Sequence, residues 1–289
     1  MSTVVSIDGE VFAPEDAKVS VFDRGFLYGD SVFETIRTYG ARPFRLAEHL
    51  ARLADSAERV FIELPVGLEQ LAEEVQGTIA LAGNPESYVR LMVTRGSGPL
   101  GLDSGFRAHP TRVIITGPLA PPPPEAYTDG IGVITFQTQR VIESTDAAGA
   151  KVGNYLVVVL ALRKAREQGA AEALIVDGSG SVAEGGSSNV FAHLDGSWVT
   201  PPLDIGILAG ITRATILAAC SAHAVPVREE RLSVSDLHRA AEVFICSSIR
   251  EVIPVVRVDG QAVGDGRPGP RTRLVSELFS QAVAESMGG

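Results

Sequence analysis

AGAKVGNYLVVVLAL, residues 148–162, places Lys151 between small residues and a strongly apolar run that predicts a helix near 154–168. Working downstream, helices are expected near 211–223 and 270–286, and strands near 173–177, 188–194 and 242–246. A further strand near 131–136 precedes the lysine. Working upstream, Pro118 and Pro121 to Pro124 form a run that suits neither helix nor central strand. It reads as a stiff connector over 118–127.

Residues 1–117 ahead of that connector read as a smaller α+β block. A hairpin is expected over 3–12, turning at Asp8-Gly9, and Val32 to Tyr39 alternates as a strand does. Leu46, Leu50, Leu53, Ala57 and Val60 recur at steps of three and four, which predicts an amphipathic helix. A second helix runs from Leu68 to Leu81 and is stopped by Gly83-Asn84-Pro85. Val89–Thr94 and Val113–Thr116 complete the block as strands. The expected fold class is therefore mixed, α+β / α/β, in two domains, with 128–289 the larger.

The bulk properties narrow the function. A chain of 289 residues suits two domains, and 45% hydrophobic with 21% charged residues is ordinary for a globular protein. No apolar run is long enough for a bilayer span, and no basic, then apolar, leader opens the chain. A net charge of −10 argues against nucleic acid as a partner. Cys220 and Cys246 lack CxxC spacing, and the five histidines lack metal-ligand spacing, so no metal is expected and a reducing cytoplasm is. Only three lysines occur, Lys18, Lys151 and Lys164, against 22 arginines. This bias fits genomic base composition, yet it leaves only three candidates for any chemistry that needs an amine.

Lys151, poorly solvated by its neighbours, suits a nucleophile that forms a Schiff base with an aldehyde cofactor; a lysine snorkelling from a helix end is the alternative. Gly210-Ile211-Thr212-Arg213 opens a predicted helix, where free N–H groups can hold a phosphate or Thr212 can merely cap. Ser248 follows a predicted strand and offers another phosphate donor, or only a turn. Glu184, ahead of the strand near 188–194, can hold a pyridine nitrogen protonated or stand exposed. Arg52 flanks the apolar helix stripe, where a surface salt bridge is the plain reading.

Taken together, seven stretches resemble one family: DRGFLYGDSVFETIR (23–37), EHLARL (48–53), YVRL (88–91), KVGNYL (151–156), VAEGGSSNVF (182–191), GILAGITR (206–213) and SSIREVIPV (247–255). In this order, over nearly the whole chain, they resemble the fold-type IV (class IV) enzymes that use pyridoxal 5′-phosphate (PLP). That family includes branched-chain aminotransferases, D-amino acid aminotransferases and 4-amino-4-deoxychorismate lyases. The resemblance implies a small α+β domain and a larger pseudo-barrel domain with the cofactor between them, in a homodimer. It implies Lys151 as the catalytic lysine, Glu184 on the pyridine nitrogen and Tyr155 on the phenolic oxygen. Arg52, Ile211, Thr212 and Ser248 match the phosphate cradle.

For the substrate pocket it implies Tyr28, Phe33, Arg37, Tyr88, Arg90 and Ile249. The Tyr88-x-Arg90 pair matches the branched-chain class, where it accepts the distal carboxylate of glutamate. The expected activity is amino transfer between a branched-chain-like L-amino acid or glutamate and a 2-oxo acid. Three departures bear on this. Gly98-Pro99-Leu100-Gly101-Leu102 lacks the Arg-x-His carboxylate trap of the D-specific enzymes. Thr35 stands where the branched-chain class has glycine and the lyases often have threonine. Ile249 and Arg250 are bulkier than the residues of the Gly-Thr-Ala-x-Glu loop they replace. The lyase, and a D-amino acid or (R)-amine transaminase, are the alternatives.

Overall fold

The computed structural model describes residues 2–105, 109–138 and 146–288. The chain divides into two compact units: Met1–Ala120 with Ala150–Tyr155, and Pro121–Gly149 with Leu156–Gly289. The Lys151 segment thus groups with the first unit, although it follows the proline run in sequence.

The first unit contains β1 (Val4–Ile7), β2 (Glu10–Phe12), α1 (Arg24–Tyr28), β3 (Ser31–Tyr39), β4 (Arg42–Pro43), α2 (Leu46–Arg59), α3 (Leu68–Ala82), β5 (Ser87–Thr94) and β6 (Thr111–Pro118). Its strands form an antiparallel sheet in the order β2-β1-β6-β5-β3-β4. The Asp8-Gly9 turn has both residues at positive φ, as a two-residue hairpin demands. Alternation along the strands buries Val32, Ile36, Val89, Leu91, Val93 and Ile114 with Leu50, Leu53 and Ala57 of α2 and Leu71, Val75 and Ile79 of α3. Pro118, expected outside any strand, is the last residue of β6, opposite Ser87. Its missing N–H costs no bond toward β1, whose pairing with β6 ends at Thr116.

The second unit contains α4 (Glu125–Thr128), β7 (Ile131–Gln137), α5 (Leu156–Glu167), β8 (Glu172–Val176), β9 (Ser181–Gly185), β10 (Asn189–Leu194), β11 (Ser197–Thr200), α6 (Ile211–Ala222), β12 (Val227–Glu229), β13 (Leu232–Ser233), α7 (Val234–Arg239), β14 (Glu242–Ser247), β15 (Glu251–Val258), β16 (Gln261–Ala262) and α8 (Pro270–Gly288). Nine strands run in the order β12-β11-β10-β14-β15-β7-β8-β9-β13, with β16 on β15, and the sheet curls as a half-barrel. Pairs β11–β12, β15–β7 and β7–β8 are parallel. Strands β8 and β10 are buried at every position, which is why the apolar residues Ala173–Val176 and Val190–Ala192 follow one another without alternation. By contrast α5 leaves Leu156, Val157, Val159 and Leu160 exposed.

Candidate active site

In the first unit, β3 and β5 decide which side chains share a face. Thr35 lies opposite Arg90, Arg37 opposite Tyr88 and Phe33 opposite Met92. Period-two alternation then sets Phe33, Arg37, Tyr88 and Arg90 on the sheet face turned away from α2 and α3. The Phe33 ring is the common floor of this face. The Arg90 guanidinium carbon lies 3.9 Å from its centre, Lys151 Nζ lies 4.7 Å from it, and the Tyr155 ring meets it edge-on at 5.2 Å. Arg90 Nε donates to Met92 Sδ at 3.2 Å, and among the described residues no carboxylate pairs with this guanidinium. Arg37 stacks over Tyr39 with its guanidinium carbon 4.6 Å from the ring centre.

The backbone fixes Lys151 as tightly as its side chain does. Val152 bridges antiparallel to Val32, so residues 151–153 add a short strand to the edge of β3. Phe33 N–H donates to the Lys151 carbonyl at 3.0 Å, and Gly153 N–H to the Ser31 carbonyl at 2.7 Å. The Lys151 N–H donates to Ser56 Oγ of α2 at 3.1 Å. A Cβ at position 153 would collide with Ser31 Oγ, which explains the glycine of KVGNYL. Lys151 therefore belongs to a sheet edge five positions before α5 begins, and not to a helix end.

Behind this face, Glu34 points into the core from β3 and meets α2. Arg52 donates to Glu34 through Nε at 2.7 Å and through Nη2 at 2.6 Å. His49 Nδ1 lies 2.7 Å from Glu34 Oε2. Burial alone would raise the Glu34 pKa, but the hydrogen bonds and charge of Arg52, with the His49 bond, hold it at about 2. Burial pushes His49 below its ordinary value, so at neutral pH it is a neutral donor to that carboxylate. Arg52 is thus no surface salt bridge: its side chain is 11% exposed and its partner is fully buried. His49, Arg52 and Ser56 follow at steps of three and four and share one face of α2.

Tyr28 stands apart from the Phe33 group. Its hydroxyl accepts the Gly101 N–H at 3.0 Å, the Arg24 guanidinium covers its ring at 4.9 Å, and Arg24 Nη1 donates to the Gly101 carbonyl at 2.8 Å. Asp30 accepts from both Arg24 and Arg95, which holds its carboxyl below the usual range against the upward pull of burial.

In the second unit, Glu184 lies ahead of β10, as expected, and is itself inside the short strand β9. Its Oε2 accepts the Leu208 N–H at 3.1 Å, while Asn189 Nδ2 donates to the Leu208 carbonyl at 3.1 Å. The loop that leads into α6 is thereby tied to β9 and β10. The cap residue Gly210 is pressed against Asn189 Oδ1 with no room for a Cβ, and no side chain caps the helix. Its first backbone amides suit an anion, beside the Thr212 side chain. Ser248 and Ile249 occupy the turn between β14 and β15. The donors fit a cofactor phosphate: helix amides at Ile211 and Thr212 and hydroxyls at Thr212 and Ser248.

Glu34 and His49 lie inside the quoted motifs without an assigned role there, and Ser56 and Glu172 lie outside those motifs. The signal for Glu34 was present: it is the charged residue on the core side of Val32-Glu34-Ile36.

Comparison with known proteins agrees with this chemistry. Residues 31–258 match the family profile of amino-transferase class IV. A putative branched-chain-amino-acid aminotransferase of Methanocaldococcus jannaschii is 38% identical over 275 residues, 95% of this chain and 94% of that protein. A D-alanine aminotransferase of Bacillus licheniformis is 33% identical over 279 residues, 96% of each chain. Among solved structures, the T.th. branched-chain amino acid aminotransferase with pyridoxamine 5′-phosphate has a TM-score of 0.92 and 30% identity, covering 99% of this chain and 95% of that one. The chain therefore belongs to the class IV aminotransferases of fold type IV, and it is a PLP-dependent enzyme that transfers amino groups.

Proposed function

We propose that the chain moves amino groups between apolar, branched-chain-like L-amino acids, L-glutamate and the matching 2-oxo acids. One observation carries this reading. Arg90 is a half-buried guanidinium on the face that also bears Lys151, and it rests on a phenyl ring and a thioether instead of a carboxylate. Such a cation can receive the distal carboxylate of glutamate. A relative named for branched-chain amino acids points the same way.

Bound PLP supplies an electron sink conjugated to the substrate's Cα. We assign the chain's own residues as follows. Lys151 Nζ holds the cofactor and then carries the proton at Cα. Glu184, oriented by the Leu208 amide, keeps the pyridine nitrogen protonated, and Tyr155 bonds the phenolic oxygen. Arg52, Ile211, Thr212 and Ser248 hold the phosphate. Tyr28, Phe33, Arg37, Tyr88, Arg90 and Ile249 shape the substrate site. Residues 1–117 and 128–289, joined by 118–127, serve as the two domains, except that Ala150–Tyr155 belongs with the first. We place the protein in the cytoplasm, on its two buried, unpaired cysteines. We also propose a homodimer, supported by the exposed apolar row on α5.

The test is Arg90→Ala with two donor classes. Loss of one charge-assisted hydrogen bond contributes roughly 1.5–3 kcal/mol, so turnover of L-glutamate should fall about 10- to 100-fold while L-leucine is spared. An equal loss for both would assign Arg90 to the α-carboxylate or to structure. A second reading, D-amino acid transamination, is favoured by the D-alanine aminotransferase among the relatives. It predicts D-alanine as the better donor. Pyruvate release from aminodeoxychorismate without transamination would favour the lyase.

A further inference from the structure

The second unit holds a fully buried carboxylate that the proposed chemistry does not use. Glu172 opens β8, and its side chain has no exposed surface. Carboxylates rarely occupy such a place unless paired and hydrogen-bonded. Its Oε1 accepts the Ala173 N–H at 2.9 Å. Its Oε2 takes Arg250 Nη1 in a short ion pair and also lies 3.3 Å from Ser187 Oγ and 3.5 Å from Ser188 Oγ. One carboxylate thus gathers the start of β8, the β9–β10 turn and the β14–β15 turn.

Both turns are shaped around it. Gly185 N–H donates to the Ser188 carbonyl at 2.7 Å, and Gly186 N–H to the Ala173 carbonyl at 2.8 Å. A Cβ on Gly186 would stand 3.2 Å from Glu172 Oε1, tighter than side chains normally sit. In the second turn, Ser247 pairs with Glu251 across Ser248, Ile249 and Arg250. Glu251 closes this three-residue loop at φ +56°, a left-handed conformation usually reserved for glycine. A turn closed by a strained residue needs an external tie. The Arg250 side chain, on Glu172, is such a tie.

We propose that Arg250 is a positioning residue: through its ion pair with Glu172 it sets the Ser248–Ile249 backbone, and with it the grip of that turn on the cofactor phosphate. This deepens the assignment of Ser248 made above and rests on it. Arg250 does not swing away to a substrate carboxylate. Leaving Glu172 would strand a fully buried charge with one amide and two distant hydroxyls, and breaking a buried pair generally costs more than one new charge-assisted bond returns.

The experiment compares wild type with Arg250→Lys, Arg250→Met and the double variant Glu172→Gln/Arg250→Met. Two quantities are read: PLP retained by the holoenzyme in equilibrium dialysis, and melting temperature. Arg250→Met should lower both, with PLP held about 10- to 100-fold more weakly, by analogy with the loss of partners that orient metal ligands. The double variant strands no charge, so its melting temperature should recover while its PLP binding stays weak. Arg250→Lys should restore part of the binding. PLP binding that recovers together with melting temperature in the double variant would reduce the pair to a stability role, as would wild-type binding in Arg250→Met. A wild type that retains no PLP would instead overturn the cofactor assignment on which the proposal stands.

Discussion

Lys151 is held at both ends of its reach. Its carbonyl and N–H are bonded to Phe33 and Ser56, and its Nζ stands 4.7 Å from the Phe33 ring centre. A lysine with a pinned backbone loses little further freedom when its amine is engaged. Lys18 and Lys164 are the other lysines in the chain; Lys164 stands over Phe136. Borohydride reduction of the yellow holoenzyme should fix the cofactor on the peptide containing Lys151 alone. Label on Lys18 or Lys164 would remove Lys151 from its proposed role. Lys151, Glu184 and the Tyr88-x-Arg90 pair were legible in the sequence because each lies in a short contiguous motif. The ion pairs Glu34–Arg52 and Glu172–Arg250 were not, because their partners are 18 and 78 positions apart and only the fold brings them together.

At the scale of elements, α2 is fastened to β3 by Glu34, His49 and Arg52 as well as by its leucines. The ordinary carboxyl value for Glu34 is 4.5, and the folded value is about 2. A depressed acid contributes stability that is complete above its unfolded pKa and is lost as pH falls toward its folded pKa. The window is therefore pH 4.5 down to about 2, and the contribution is on the order of 3 kcal/mol. His49, buried and neutral, must take up a proton in the same direction, which adds to the acid sensitivity. Melting temperature of Glu34→Gln should fall less steeply than that of wild type across this window, from a lower starting point. Parallel slopes would mean that Glu34 is not the titrating group. The helices α2 and α3 and strands β3, β5, β8, β10 and β14 were readable because each carries a full apolar period or a continuous apolar run. Strands β9, β11, β12, β13 and β16 are only two to five residues long, too short to show a period. Strand β15 carries Pro254 inside a strand, which masked it in the sequence.

For the whole molecule, the apolar run that begins after Tyr155 forms α5 but leaves Leu156, Val157, Val159 and Leu160 exposed. Solvent-facing apolar rows of this kind mark interaction surfaces, and the homodimer proposed above would cover this one. Val159→Glu with Leu160→Glu should shift the native mass from dimer to monomer, and an unchanged dimer would place the interface elsewhere. The absorbance of the holoenzyme reads the reaction itself without any coupling system. Purified enzyme is mixed with L-leucine, L-glutamate or D-alanine and no acceptor, and the cofactor's visible band is followed. Both L-amino acids should bleach the band as the amino group passes to the cofactor, 2-oxoglutarate should restore it after L-leucine, and D-alanine should leave it nearly unchanged. A band that bleaches with D-alanine and persists with both L-amino acids would contradict the account.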